Sequence, residues 1–390
     1  MDICDDHVSA AEYSLQDPKI KSVLISQIKE ECQKLIEYII AAKRFNLEIN
    51  ARSKDRVISF GEKLSCQLMA ALLEDAGVAA EYVDLCDALH HDPKSHLDSD
   101  FYKMASGVFG QKLASCQGRV PVVTGFFGNV PGSIIDGDIG RGYTDLCAAL
   151  CAVSLRADEL QIWKEVDGIF TADPTKVPTA RLLQTITPAE AAELTFYGSE
   201  VIHHLTMDQV IKADPPIPIR IKNVKNPRGS GTVVVPDPVQ TASHQLYRSR
   251  PSEVHLNRQH KIIKRPTAVT IKPHISVINV HSNKRSISHG FFARIFGILD
   301  EHSISVDLIS TSEVHVSMAI HSEGAPPEAF ELARQQLADC GDVSVLNDMA
   351  ILSLVGGGMK NMVGVAGRMF STLGDYDINL EMISQGMLTY

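Results

Sequence analysis

The sequence predicts an α/β protein in which a mostly parallel sheet is sandwiched by helices, followed by smaller α+β units of βαββαβ order. Three observations carry this reading. Strands alternate with helices through the first 235 residues. A stretch of Ser, His, Arg, Gln and Pro with little periodicity then separates Pro236 from Pro266. Beyond it the hydrophobic pattern changes to β-α-β-β-α-β and begins to repeat. With 390 residues, 44% of them hydrophobic and 22% charged, the chain is long enough for roughly two to three ordinary cores.

Val23, Leu24, Ile28, Leu35, Ile36, Ile39 and Ile40 recur at helical spacing, so Ile20–Ala42 reads as one long amphipathic helix. A second helix follows Gly61 and runs through Leu64, Leu68 and Leu72 to Gly77. Ala80–Leu85 and Val120–Thr124 read as strands, Asp145–Leu155 as a helix, and Glu159–Trp163 and Ile217–Ile221 as further strands. Trp163, the only tryptophan, reads as a core residue. Past the linker, strands at Ile275–Val280, Ser305–Ile309, Val314–Ile320 and Val343–Leu346 accompany helices at Phe291–Leu299 and Glu328–Leu337. The pattern restarts with a strand at Ile351–Val355, a helix at Val363–Leu373 and a strand at Ile378–Ile383. Ile304–Ser310 and Ile378–Ser384 echo one another, which marks an internal repeat. The expected organisation is a catalytic domain over 1–235, a linker over 236–270, a first small unit over 271–348 and a half-built second unit over 349–390.

A formal net charge of -10 argues against a nucleic-acid surface or a basic membrane anchor. The 8 cysteines form no C-x-x-C pair, so reduced, buried thiols are expected. Asp2, Asp5 and Asp6 open the chain in place of a basic, apolar leader, and no apolar run reaches membrane-spanning length. A cytoplasmic protein that binds neither nucleic acid nor membrane is expected. His203-His204 offers two imidazoles, but adjacent side chains point apart and no third ligand lies at a workable spacing, so no metal site is expected. His90 and His91 read as exposed loop residues.

Chemistry concentrates in Thr124-Gly125-Phe126-Phe127-Gly128 and in Gly140-Arg141-Gly142-Tyr143-Thr144-Asp145, at the start of a helix. Glycines let backbone approach a ligand closely, and a helix N-terminus offers free N–H groups to an anion. The same glycines also serve ordinary turns, so spacing alone leaves both readings open. A Rossmann dehydrogenase fails because the full three-glycine fingerprint is missing.

Three segments together are more specific: GRGYTDLCAAL from Gly140, QIWKEVDGIFTADP over Gln161–Pro174, and TPAEAAELTFYGSEVIH over Thr187–His203. In this order and spacing they resemble the aspartate kinases of fungal type, and Gly61-Glu62-Lys63-Leu64-Ser65 is similar to that family's G-E-x-x-S element. Ser288–Asp300 and Ser305–Met318 resemble the paired ACT domains that regulate such enzymes. The resemblance implies an amino-acid-kinase-like fold followed by ACT domains. It also implies ATP with Mg2+ carried on the nucleotide, L-aspartate as acceptor, and the first step towards threonine, methionine and isoleucine. An amino-acid effector, threonine, and homo-oligomers joined through ACT domains come with it.

Carried over residue by residue, Arg141 grips the α-carboxylate of aspartate and Glu62 takes its ammonium, with Gly125, Phe126 and Thr144 completing the wall. Asp145 and Arg141 form the catalytic set, Asp145 ordering the transfer centre rather than acting as a base. Lys164, Glu165, Gly168, Phe170, Asp173 and Pro174 belong to the nucleotide loop. Ser288, Gly290, Phe292, Ser305, Val306, Asp307, Ser312 and Glu313 form the effector pocket.

The chain departs from the family in places. Nothing in Met1–Ser53 matches the family's Lys-Phe-Gly-Gly-Thr-Ser phosphate loop, so the catalytic domain is expected to lack its first strand and the activity of this chain to be low. Thr175 stands where relatives have Arg, and His203-His204 where they have His-Pro. The alternative function is a catalytically dead fragment or an amino-acid-sensing regulatory subunit.

Overall fold

The structure, a computed structural model, describes residues 2–45, 50–89, 97–128, 130, 134, 139–140, 142–196, 202–235, 266–282, 290–322, 324, 326–359 and 362–385. In chain order the elements are α1 (Asp2–Ser14), α2 (Pro18–Arg44), α3 (Ala51–Ile58), α4 (Phe60–Asp75), β1 (Ala80–Val83), α5 (Ser99–Ala114) and β2 (Val120–Val123). Next come α6 (Tyr143–Ser154), β3 (Leu160–Lys164), β4 (Thr185–Ile186), α7 (Pro188–Phe196), α8 (His204–Ile211), β5 (Ile219–Asn223) and β6 (Thr232–Val234). Last are β7 (Ala268–Ser282), α9 (Phe291–Glu301), β8 (Leu308–Thr311), β9 (His315–His321), α10 (Pro327–Ala338), β10 (Gly341–Val355) and α11 (Val365–Asp375). Two units form: Met1–Glu165 with Ile202–Lys225, and Val166–Val201 with Asn226–Tyr390.

In the first unit, α2 starts where the Asp17 side chain accepts from the Lys19 and Ile20 amides. Pro18 takes the first helical position, where a missing N–H costs nothing, and Lys43 and Arg44 meet the negative end of the helix dipole. Its Leu24, Ile28 and Cys32 pack with Ala11, Leu15, Leu64 and Ala71. β1 and β2 run parallel with Val83 opposite Val123, and β3 and β5 run parallel with Lys164 opposite Asn223. Each pair therefore ends on one edge, and the chain leaving both strands of a pair converges there. Phe109, Phe127, Leu146 and Leu150 anchor the core behind β1 and β2. Full burial contributes about 2 kcal/mol for each such side chain, enough to fix the loop after β2.

Trp163 departs from the core position expected of it. Alternation along β3 turns Leu160 and Ile162 inward and Trp163 outward, 43% exposed, where the Lys222 ammonium lies 4.9 Å from its ring centre. His203 and His204 do not point apart: His203 is the extended cap of α8, and the two ring centres lie 4.5 Å apart with the planes tilted by 35°.

In the second unit, β4 and β6 pair in parallel. The antiparallel sheet β10-β7-β9-β8 carries α9 and α10 over Ile278, Val280, Met318, Ile295, Leu299 and Leu337, so the split βαβ pattern forms as expected. β10 joins the two strands expected at Val343–Leu346 and Ile351–Val355. The apolar alternation breaks at Asn347-Asp348, and the ladder absorbs it as register shifts on either side of Met349, with Asp348 at φ 58. The strand expected over Ile378–Ile383 does not form. Its apolar alternation is a burial signal that pairing does not follow: Met382 packs near Ile275 and Val277, while Ile378 and Ile383 stay 53% and 60% exposed.

The eight cysteines are free thiols, of which Cys32, Cys116 and Cys147 are buried and the others half-buried. Among the described residues no helix is long and apolar enough to cross a membrane, and no group of three or more His, Cys, Asp or Glu side chains gathers as for a metal. Arg141, Ser288, His90, His91 and residues 236–265 of the linker expected over 236–270 lie outside the described residues, and β7 begins at Ala268, inside that expected linker.

Candidate active site

The site grows from the end of β2. Thr124 is buried; its Oγ1 accepts from the Leu85 amide at 3.0 Å and donates to the Phe126 carbonyl at 3.1 Å, tying the chain after β2 to the chain after β1. Gly125 then passes between two side chains: a Cβ there would lie 2.4 Å from Thr144 Cγ2 and 3.1 Å from Glu62 Oε2. Gly128 has φ 102, and an added Cβ would meet the Cys86 carbonyl at 2.5 Å, so only glycine fits.

Glu62 stands in the first turn of α4. The Phe126 amide donates to its Oε1 and the Tyr143 hydroxyl donates to its Oε2 at 3.3 Å. Burial pushes the Glu62 carboxyl above the usual carboxylate range and the Asp84 charge adds to that, while these donors hold it partly back. Burial and then the Glu62 charge push the Tyr143 phenol well up, so the hydroxyl stays a donor. Glu62 and Phe126 line a cavity of about 290 Å³ with Lys34, Arg56, Lys63 and Asp84. Lys63 bridges Glu31 at 2.8 Å and Asp84 at 3.3 Å; burial alone would lower its pKa, but the two carboxylates reverse that and keep it charged.

Gly142, at φ 93, turns the chain into α6, and a Cβ there would press on the His203 side chain, 3.0 Å from its Cβ and 3.1 Å from its ring. Asp145 follows in the first turn, its Oδ2 3.9 Å from Lys164 Nζ at the end of β3. Burial raises its pKa, and Lys164 and His203 pull it back. Thr144 is exposed beside Gly125. The structure thus brings Glu62, Gly125, Phe126 and Thr144 together, and separately Asp145 with Lys164. Glu165 is exposed, 3.5 Å from Lys225.

The remaining nucleotide-loop residues belong to the second unit. Gly168, at φ 143, leaves room for Thr232 Oγ1, 2.4 Å from where a Cβ would stand; that hydroxyl accepts from the Ile169 amide and donates to the Leu183 carbonyl. Phe170 bridges to Leu182, and Asp173 accepts from the Thr175 amide and hydroxyl at 2.9 and 2.6 Å, which hold its carboxyl low. Thr175 and Asp173 thus shape the turn that carries Pro174.

Among the effector candidates, Phe292 and Val306 each pack against the apolar core of the antiparallel sheet. Asp307 is held by Lys272 at 2.7 Å, and Ser305, Ser312 and Glu313 are exposed. Gly290 starts α9 at φ 88 with open space where a side chain would be. Sequence reasoning gave no role to Tyr143, Lys63 or Lys222. Tyr143 and Lys63 sat inside quoted motifs, and Lys222 lies on β5 opposite Trp163, a pairing that only the register reveals.

Residues 7–223 match the amino acid kinase family and residues 352–388 match the ACT domain. Fold and site define a small-molecule kinase of the amino acid kinase type with an ACT segment. Aspartate kinase FUB3 of Gibberella moniliformis is 56% identical over 386 residues, 99% of this chain and 76% of that protein. The aspartokinase of Saccharomyces cerevisiae is 49% identical over 390 residues, covering 98% of this chain and 73% of its own length. The crystal structure of E. coli aspartokinase III in complex with aspartate and ADP matches with a TM-score of 0.67 at 25% identity, over 99% of this chain and 86% of that one. The chain belongs to the aspartate kinase family.

Proposed function

We infer that this chain transfers the γ-phosphoryl group of ATP to the β-carboxylate of L-aspartate, giving 4-phospho-L-aspartate and ADP. The observation that supports it best is Glu62, a carboxylate held by two donors at the wall of a cavity of about 290 Å³, with acceptor capacity left for an ammonium. Arg141, in the matching GRGYTD segment, takes the α-carboxylate, so both ends of the zwitterion are gripped and the β-carboxylate projects. That carboxylate is already ionised, so the protein needs no base; it positions the acceptor and neutralises charge on the phosphoryl oxygens. Lys164 beside Asp145, with Lys222 on the neighbouring strand, fits that need for positive charge. A magnesium ion carried on the nucleotide would neutralise phosphate charge at this site.

The test is aspartate-dependent ADP release, with hydroxylamine trapping of the acyl phosphate as hydroxamate. Both signals are expected, and Arg141→Ala should cut kcat/KM for aspartate by at least about 10²-fold. Absence of aspartate-dependent ADP and hydroxamate overturns the reading.

The same reading extends to regulation: the ACT sheet binds threonine and joins copies of the chain. Asp307 already holds one ammonium, that of Lys272, and the start of α9 at Gly290 offers N–H groups to a carboxylate. β8 and β10 are the sheet's edge strands, suited to pairing with a second copy. Calorimetry with threonine on the protein and on Asp307→Ala tests the pocket, equal affinities excluding it. Light scattering tests assembly, a monomer at micromolar concentration excluding it.

A further inference from the structure

We propose that Tyr143 is a positioning residue for the acceptor amino acid: its hydroxyl, 3.3 Å from Glu62 Oε2, holds that carboxylate in the orientation that receives the substrate ammonium. The proposal rests on Glu62 being the ammonium's partner. Three elements converge on this one side chain, which comes from α4; the loop after β2 supplies the Phe126 amide to Oε1, and the first residue of α6 supplies the hydroxyl to Oε2. A glutamate has three rotatable bonds, and a single donor leaves its carboxylate free to swing; donors from two separate elements fix both oxygens. A carboxylate offers about four acceptor positions, and the donors among the described residues take two of them, which leaves room for an ammonium. Gly125 keeps that side open, because a Cβ there would stand 3.1 Å from the same Oε2. Asp145 lies two residues further along α6, so one helical turn sets both the acceptor's anchor and the carboxylate beside Lys164.

Packing and hydrogen bonding separate cleanly here. The Tyr143 ring packs against the apolar core that contains Leu146 and Cys147, and phenylalanine keeps that contact while losing only the hydroxyl. Among the described residues, the titratable and charged groups around Glu62 are Asp84, Cys86 and Asp87 beyond β1, Lys63 and Cys66 on α4, Cys147 on α6, and, across the cavity, Glu31, Lys34 and Tyr38 on α2 and Arg56 on α3. None of them is altered by Tyr143→Phe.

Steady-state kinetics and aspartate calorimetry on the full chain test the proposal. Tyr143→Phe should weaken aspartate about tenfold, seen in KM and in the calorimetric Kd, with the loss falling on KM rather than kcat and leaving KM for ATP in place. The acid limb of log kcat/KM for aspartate should also move to higher pH. Removing a donor disfavours the ionised Glu62, and a protonated Glu62 does not hold an ammonium. Glu62→Gln is the companion variant, and it should lose aspartate affinity at every pH. If Glu62→Gln weakens aspartate while Tyr143→Phe changes neither affinity nor the acid limb, the positioning role is wrong and the site reading stands. If Glu62→Gln leaves aspartate affinity intact, the reading of Glu62 fails and Tyr143 falls with it.

Discussion

Glu62 and Glu190 each stand in the first turn of a helix, each largely out of water, and their carboxyls shift in opposite directions. Burial opposes ionisation of both. At Glu190 it is outweighed: Thr267 Oγ1 and the Gly357 amide donate to Oε1 at 2.7 and 2.8 Å, and the Thr187 hydroxyl and amide donate to Oε2 at 3.0 and 3.1 Å. At Glu62 two donors leave burial dominant. Burial therefore does not distinguish a binding carboxylate from a structural one; the number of acceptor positions still open does. Glu190 is full, and it fastens α7 to the starts and ends of the long strands, through Thr267 just before β7 and Gly357 just after β10. Among the described residues Glu62 has two donors, which leaves acceptor positions for the ammonium proposed above.

The largest effect this contrast predicts is on stability. Glu190→Ala orphans the Gly357 amide and the Thr267 and Thr187 donors at once and should cost about 3 kcal/mol, read as a lower denaturant midpoint. Calorimetric aspartate affinity should hold in the folded fraction; an unchanged midpoint would mean that the network is ornamental. Next in size is a pH effect. The folded pKa of Glu190 lies below its unfolded value, so its ionised form stabilises the fold above the unfolded pKa and that stability drains away as pH falls through the folded one. Glu190→Gln keeps the shape, should lose about 1–2 kcal/mol at neutral pH, and should flatten the acid side of the stability profile between about pH 5 and pH 3. A Gln variant as acid-sensitive as the parent would assign that slope to other carboxylates.

Half of the Glu190 arrangement lies in a local sequence pattern, one that sequence reasoning did not draw on. Thr187-Pro188-Ala189-Glu190 is a capping box, S/T-x-x-E ahead of an apolar run, and both of its reciprocal bonds form. Its other partners lie 77 and 167 residues away, and no local pattern carries that information. The same division holds elsewhere. The α2 helix and the βαββαβ order were readable because their signals are periodic, although Val23, Ile36, Ile39 and Ile40 of the expected stripe stay exposed, and Glu62, Gly125 and Asp145 drew notice because they sit in motifs. Trp163 was misjudged because hydrophobicity was weighed above the alternation that turns it outward. Ile378–Ile383 was misjudged because apolar spacing reports burial and says nothing of whether a partner strand lies alongside. Tyr143 sat in plain view, but its hydroxyl acquires meaning only when α4 and α6 meet.

The smallest predicted effect has the opposite sign, and it tests the comparison most sharply. Glu62 has a folded pKa above its unfolded value, so at neutral pH its ionised form works against folding, and that penalty disappears as pH falls below the unfolded pKa. Glu62→Gln keeps an acceptor for the Phe126 amide and removes the charge, so the ligand-free protein should gain stability at neutral pH. The gain is small, because part of the carboxyl still meets water, and it should vanish towards acid pH as the parent itself becomes protonated. Saturating aspartate should reverse the order: the parent gains stability from binding, and the Gln variant, with its ammonium partner gone, gains much less. Thermal melts at neutral pH with and without aspartate would show this as crossing midpoints. A Gln variant that is less stable than the parent in both conditions would place Glu62 with Glu190, as a carboxylate whose work is to hold the fold together.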